Sequence, residues 1–187
     1  NASIVLYNEN RRVLESLYQL RIDQPHLVSS YELYLLMRAS NLLEVSEHTA
    51  LLREYLDKVV HEPRLERDNI RVVITGVFCE QPPLALIRVL EQCGCYIVDD
   101  DWVLGARYLL QDIEITDDPI QSICQAYLQH GTPTASRYID DQEKGQYLVQ
   151  RVAATKADGV VFAAPSFCDP ALLERPMLQD ALNKHNI

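Results

Sequence analysis

No apolar stretch in this sequence approaches the ~20 residues needed to cross a bilayer, and no secretory pattern opens it. The expectation is a soluble, cytoplasmic protein without a membrane partner. Nor is there a Lys/Arg-rich block: 17 basic residues face 27 acidic ones, a formal net charge of −10. Such a surface repels phosphate backbones, so nucleic acid is not an expected partner; the excess acid serves solubility. The sequence also lacks G-x-G-x-x-G and G-x-x-x-x-G-K-[ST], which removes two common phosphate-cradling loops. CxxC and HExxH are absent, and His26, His48, His61, His130 and His185 are scattered over helices and their ends. That argues against a nucleophile–His triad and against a zinc hydrolase. Five cysteines is an odd count without a secretory mark, so no disulfide framework is expected. Cysteines in such chains are small buried apolar groups or metal ligands.

What is present suffices for a core: 187 residues, 48% of them apolar. Asn1-Ala2 resembles a remnant of tag removal and is assigned no structural role. Residues 1–66 read as a helical lead-in. Leu6, Val13, Leu17 and Leu20 recur at helical spacing, as do Leu33, Leu36, Met37 and Leu43. A third helix carries Leu52, Tyr55, Leu56 and Val59, with Ser46 as its expected N-cap and Pro63 beyond its end. These stripes must be buried, on a sheet or against a partner.

From residue 67 to 187 the pattern alternates. "IRVVITG", "CYIVDDD" and "GVVFAAP" read as buried strands. Between them stand helices: "PPLALIRVLEQCG", "DDPIQSICQAYLQHG" (Asp118 as cap, Pro119 at N1) and "DQEKGQYLVQRVAATKAD", with Gly145 a weak point inside it. This predicts an α/β fold of Rossmann or flavodoxin type, a parallel sheet with helices on both faces, preceded by the helical extension. The sequence stops where one more strand is expected, which suggests a piece of a longer protein. Ligand sites in such sheets lie beyond the carboxyl ends of the strands. That singles out "GVFCEQPP", "DDDWVLGAR" and "APSFCDP".

Cys168 is the strongest candidate. It stands after a strand and before Asp169-Pro170, an expected cap and N1 pair, with Pro176 restarting a helix further on. Backbone N–H groups at such a turn favour a thiolate, the metal-binding form; a loop cysteine with no task is the plainer alternative. Cys79 has the same address after the first strand, flanked by Glu80 and Gln81; it lines a pocket or packs in a tight turn. Cys93 and Cys95 form C-G-C, a spacing found in metal sites, but are expected to point into packing, and Cys124 is expected in the core. Asp99, Asp100 and Asp101 could hold Mg²⁺ or accept phosphoryl, be offset by Arg107, or form a solvated loop. Ser136 and Arg137 suit an anion such as a phosphate, or a surface ion pair.

Taken together, "RVVITGVFCEQPPLALIRVLEQCGCYIVDDDWVLGARYL", "HGTPTASRYI" and "DGVVFAAPSFCDPALLERPMLQ" resemble the 2-hydroxyacyl-CoA dehydratase / benzoyl-CoA reductase family, in particular the small subunits of the ATP-dependent reductases. The resemblance runs from about residue 20 onward and rests on the order of the three segments. It implies a subunit of two α/β domains with helical additions and a [4Fe-4S] cluster between them. Two ligands come from the N-terminal domain. The third comes from the loop after a strand in the C-terminal domain, a position that Cys168 matches. The two N-terminal ligand motifs have no counterpart here, so the isolated chain is expected to be inactive and not to hold a cluster, which one thiolate cannot anchor. The implied partners are a paralogous iron-sulfur subunit, ATP-hydrolysing electron-activating subunits and an acyl-CoA substrate. Cys79, Glu80, Gln81, Ser136 and Arg137 become candidates for the pocket border, while Cys93, Cys95 and Cys124 receive no ligand role. Within the family the residues allow a subunit of a benzoyl-CoA reductase or of a 2-hydroxyacyl-CoA dehydratase. Outside it, they allow a non-catalytic signalling or nucleotide-binding module using Asp99–Asp101.

Overall fold

A computed structural model describes residues 1–76, 82–102, 111–130 and 144–187. In chain order the elements are α1 (Ala2–Asp23), α2 (Ser30–Ala39), α3 (Val45–Val59), β1 (Ile70–Thr75), α4 (Leu84–Gln92), β2 (Cys95–Asp100), α5 (Pro119–Gln129), α6 (Gln146–Thr155), β3 (Gly159–Phe162) and α7 (Asp169–Lys184). The chain forms two compact units, residues 1–66 with 106–132 and residues 67–105 with 133–187. Among the described residues no helix is long and apolar enough to cross a membrane.

The first unit buries the stripes read from the sequence at Val13 and Leu17, at Leu33, Leu36 and Met37, and at Leu52 and Val59. Leu6 is exposed and Ile4 takes its place, because Ile4 clusters with Ile113 and Ala126. Asn8, one turn on, fixes the same segment: its Nδ2 donates to Ile113 O (2.8 Å) and its Oδ1 accepts from Ile113 N–H (2.9 Å). Asn1 has a role after all. It is the N-cap of α1, its carbonyl accepts from Val5 N–H (3.1 Å), and its side chain donates to Thr116 O (2.9 Å). The first residue of α3 is Val45, and Glu47 rather than Ser46 supports its start, accepting from Glu44 N–H (3.3 Å).

A buried polar network ties the three N-terminal helices. Thr49 Oγ1 donates to Val45 O (2.7 Å), so its lone pair receives Asn10 Nδ2 (2.9 Å). The same amide group lies 3.0 Å from His48 Nδ1, which must then accept; His48 Nε2 is left to donate to Leu36 O (3.0 Å).

Helix α5 belongs to this unit rather than to the strand–helix alternation expected for it. Asp118 caps it as expected, accepting from Ile120 and Gln121 N–H (3.1 and 3.0 Å). Its buried side is the small one, Ser122 and Ala126, and Ala126 packs on Ile4; Ile120, Ile123 and Tyr127 are exposed. Cys124 follows that outer face and is exposed, not in the core.

In the second unit the strands are all parallel, in the order β2-β1-β3. Val73 of the central strand packs on Leu148, Val149 and Val152 of α6 and Leu178 and Leu182 of α7. Val72 and Ile74 alternate to the other face and are equally buried, so both faces of β1 are covered. The β1/β2 register slips after Val72, which faces Ile97 while Val73 faces Asp99. The extra residue brings Asp99 onto the face that α6 covers. There Arg151 Nε donates to Asp99 Oδ2 (2.5 Å), and Arg151 Nη2 bonds both Asp99 Oδ1 and Asp100 O, the latter at 2.7 Å.

Three local expectations are corrected. Cys93 is exposed and Cys95 half-buried, because α4 ends at Gln92 and Gly94 (φ +89°) turns the chain into β2. Helix α6 starts after Gly145, which caps it at φ +94° instead of lying inside it. Pro176 does not restart a helix; it lies within α7, whose buried stripe Ala171, Leu178, Leu182 runs past it. The carbonyl that its missing N–H releases belongs to exposed Leu172, where water can take it up.

These contacts can be tested through stability. A Cβ at Gly145 would stand 2.6 Å from Ala181 Cβ, on a backbone conformation that itself costs an L-residue about 1–2 kcal/mol. Gly145→Ala should therefore lower the urea midpoint, and Ala181→Gly in the same chain should restore the steric part and leave the backbone part. Arg151→Met would leave Asp99 buried without its cation, which costs about 3–5 kcal/mol. Adding Asp99→Leu should recover most of that loss; if the double variant is as unstable as the single one, the pair is not what holds β2 to α6.

Candidate functional site at the carboxyl edge of the sheet

With β1 in the middle, the chain leaves it to one side for β2 and returns past it to β3. The reversal opens the crevice beyond the carboxyl ends of β1 and β3, the usual ligand position in open parallel sheets. Thr75 and Gly76 form one lip; Ala163, Ala164 and Pro165 form the other. Thr75 O accepts from Ala163 N–H (2.8 Å), so the lips meet directly. Gly76 has φ +95°, a conformation that suits glycine, while a Cβ there would meet Ala164 N at an ordinary contact of 3.5 Å.

The acidic run at the end of β2 has internal partners. Asp99 is paired with Arg151. Burial lowers the Arg151 guanidinium pKa, but Asp99, with Asp100 and Asp101 nearby, outweighs this and raises it. Asp100 is buried, and its Oδ1 accepts from Trp102 N–H (3.1 Å). Asp101 Oδ2 accepts from Thr75 Oγ1 and from Gly76 N–H, both at 2.9 Å. The run is therefore a clamp on the tip of β1, with Arg151 as the cation; Arg107 lies outside the described residues. Tyr147, at the start of α6, is partly buried beside Thr75. Desolvation, with Asp101 and Glu174 nearby, pushes its hydroxyl up to about 12, so it stays a neutral donor across the physiological range. Lys144 and Glu174 form an ion pair (3.0 Å) next to this group.

Cys168 lies beyond β3, as the sequence suggested, but one step nearer the helix. It is itself the N-cap of α7, with Asp169 at N1 and Pro170 at N2. It is 8% exposed; its N–H donates to Pro165 O (3.2 Å) and its carbonyl accepts from Leu172 N–H (3.0 Å). Phe167 makes the turn possible with φ +65°, rare for an aromatic residue, and its side chain is 95% exposed. The amide groups opening α7 concentrate positive potential around this cap, which suits an anionic ligand atom.

Among the described residues no three of His, Cys, Asp and Glu come together as a metal-holding group. Cys79, Glu80, Gln81, Ser136 and Arg137 lie outside the described residues. Sequence reasoning missed Arg151, Tyr147, Thr75 and Phe167. Arg151 carried a signal: it sits three residues after Leu148 on the buried side of α6, where a guanidinium needs an acid. Phe167 carried none, since its backbone conformation is not written in its residue type.

The geometry is that of a sheet-edge position in an open parallel α/β unit, and comparison with known proteins gives the family. A family model described as 2-hydroxyglutaryl-CoA dehydratase, D-component, matches residues 1–187. A benzoyl-CoA reductase subunit of Thauera aromatica is 49% identical over 187 residues, 100% of this chain and 48% of that protein. The beta subunit of lactoyl-CoA dehydratase from Anaerotignum propionicum is 28% identical over 178 residues, 94% of this chain and 46% of the relative. The beta subunit of (R)-2-hydroxyglutaryl-CoA dehydratase from Acidaminococcus fermentans is 23% identical over 191 residues, with 99% and 49% covered. The chain spans about half the length of the curated relatives it matches. The match along all 187 residues, on a parallel sheet with Cys168 at its carboxyl edge, places this chain in the 2-hydroxyglutaryl-CoA dehydratase D-component family.

Proposed function

We propose that this chain is part of an iron-sulfur subunit of an ATP-dependent benzoyl-CoA reductase, and that Cys168 is one ligand of its [4Fe-4S] cluster. The observation that carries the reading is a buried cysteine at the N-cap of α7, in the loop beyond the carboxyl end of β3 in a parallel sheet. The higher identity to a benzoyl-CoA reductase subunit than to the dehydratase subunits favours the reductase over the dehydratase. The second reading, a 2-hydroxyacyl-CoA dehydratase subunit, keeps its support from the family model. A signalling or nucleotide-binding role for Asp99–Asp101 loses its footing, since Asp99 is spent on Arg151 and Asp101 on the tip of β1.

When bound, the cluster supplies a low-potential electron for an acyl-CoA that ordinary acid–base catalysis leaves untouched. This chain's residues do the positioning. Cys168 offers its sulfur from a cap held by Pro165 and Leu172. Asp101 fixes the opposite lip by holding the Thr75 hydroxyl and the Gly76 amide. Tyr147 stands behind Thr75 as a neutral hydroxyl. By the resemblance, Cys79, Glu80, Gln81, Ser136 and Arg137 border the acyl-CoA pocket. The remaining ligands, the paralogous iron-sulfur subunit and the ATP-hydrolysing electron donor belong to the surrounding protein. Placement in the cytoplasm is part of the same reading.

The test uses the whole subunit in its complex. Cys168→Ala should remove iron and the visible thiolate–iron absorbance while leaving the circular dichroism of the fold unchanged. Retention of full iron content and colour would sink the ligand assignment. Supplying the wild-type complex with benzoyl-CoA and with a 2-hydroxyacyl-CoA then separates the readings: ring reduction marks the reductase, loss of water the dehydratase.

A further inference from the structure

The run Cys93-Gly94-Cys95 joins α4 to β2, and both of its thiols are free, Cys93 exposed and Cys95 half-buried. Backbone hydrogen bonds fix the turn on each side. Cys93 N–H donates to Val89 O (2.9 Å) and Gly94 N–H to Glu91 O (3.2 Å), while Gly94 O accepts from Ile70 N–H (2.9 Å). Gly94 has φ +89°, so the chain doubles back between the two cysteines. Two Cα–Cα steps bent in this way span about 5–6 Å, inside the window of about 4.4–6.8 Å that a disulfide bridges.

Topology brings the two side chains to the same side of the sheet. Ile70 pairs with Cys95 and Val72 with Ile97, so Cys95 lies on the Val72 face. The connection through α4 runs from β1 out to β2, and the one through α6 returns past β1 to β3. Right-handed connections that run in opposite directions place their helices on opposite faces. α6 packs on the Val73 face, so α4 covers the Val72 face, the one that carries Cys95. Cys93 follows the half-buried Leu86 and Leu90 by seven and three residues, on the flank of α4 that borders the sheet. Burial and the neighbouring Cys93 push the Cys95 thiol up, so the two groups sense each other. Cys168 does not compete for either thiol. It lies beyond the carboxyl end of β3, whereas Cys95 opens a parallel strand at the other end of the sheet.

We propose that Cys93 and Cys95 form a reversible redox-modification site, which closes to a disulfide by exchange with a low-molecular-weight disulfide. Exposed Cys93, as thiolate, attacks one sulfur of glutathione disulfide. That S–S bond breaks, a mixed disulfide forms on Cys93, and one glutathione thiolate leaves. Cys95 then attacks the Cys93 sulfur and expels the second glutathione. Two cysteine thiols are oxidised and one glutathione disulfide is reduced to two glutathiones, which take up the two protons that the cysteines lose. The bridge ties the end of α4 to the start of β2. Because Cys93 is exposed, an external thiol reaches the bridge and reopens it. The inference stands apart from the iron reading, since neither thiol is assigned to the cluster.

The test uses the whole subunit in its complex, under nitrogen, with glutathione disulfide as the added oxidant. After incubation the free thiols are alkylated. Trypsin, cutting after Arg88 and Arg107, then releases both cysteines on one peptide. That peptide should lack two hydrogens and carry neither glutathione nor the alkyl group, and excess glutathione should return it to the dithiol. Cys95→Ser should stop the reaction at glutathione on Cys93. Alkylation of both thiols in the wild-type peptide would overturn the proposal. So would glutathione retained on Cys93 beside an alkylated Cys95, since that marks two thiols that do not meet.

Discussion

The carboxyl edge of the sheet depends on one ion pair, the part-buried Arg151 with the buried Asp99. The buried Asp99 carboxylate would be costly alone; it is tolerable because the Arg151 guanidinium is present. The pair exists because β2 carries one extra residue against β1, which turns Asp99 toward α6. From it the consequences spread along the backbone. Asp100 is held by Arg151 through its carbonyl and by Trp102 through its carboxylate, and Asp101 is thereby delivered to Thr75 and Gly76. A run of three acids that looks like a cation site is thus a chain of anchors, each fixing a different part of the strand tips.

Much of this was legible in the residues, for physical reasons. Buried strands announce themselves as β-branched runs, so β1, β2 and β3 stand where "IRVVIT", "CYIVDD" and "GVVF" stand in the sequence. Capping chemistry is local, so Asp118 was readable as well. What was not legible is what depends on partners distant in sequence. Leu6 and Ile4 are both apolar, and only the arrival of Ile113 and Ala126 decides which is buried. Cys124 sits among apolar neighbours and still faces outward, because α5 docks by its small side. The Arg151–Asp99 pair spans 52 residues and required a bulge that no spacing rule reveals. At the site, the address of Cys168 could be read from strand, loop and proline. Its promotion to the cap itself could not, because that hinges on Phe167 adopting a left-handed conformation.

The placement of one cysteine at a sheet edge has a rationale on the reading proposed here. Three thiolates gathered in one small domain would repel each other whenever the metal is absent, and that domain would fold only with its metal. Dividing the ligands between pieces removes the problem. A unit with one buried thiol, capped by ordinary backbone hydrogen bonds, is stable without the cluster, and the centre forms when the pieces meet. On the same division, the clamp of Asp99, Asp101 and Arg151 holds the lip in place through its own hydrogen bonds before any cluster arrives. A site assembled this way needs rigid edges more than a closed pocket, and the ion pair supplies that rigidity at the tips of β1 and β2.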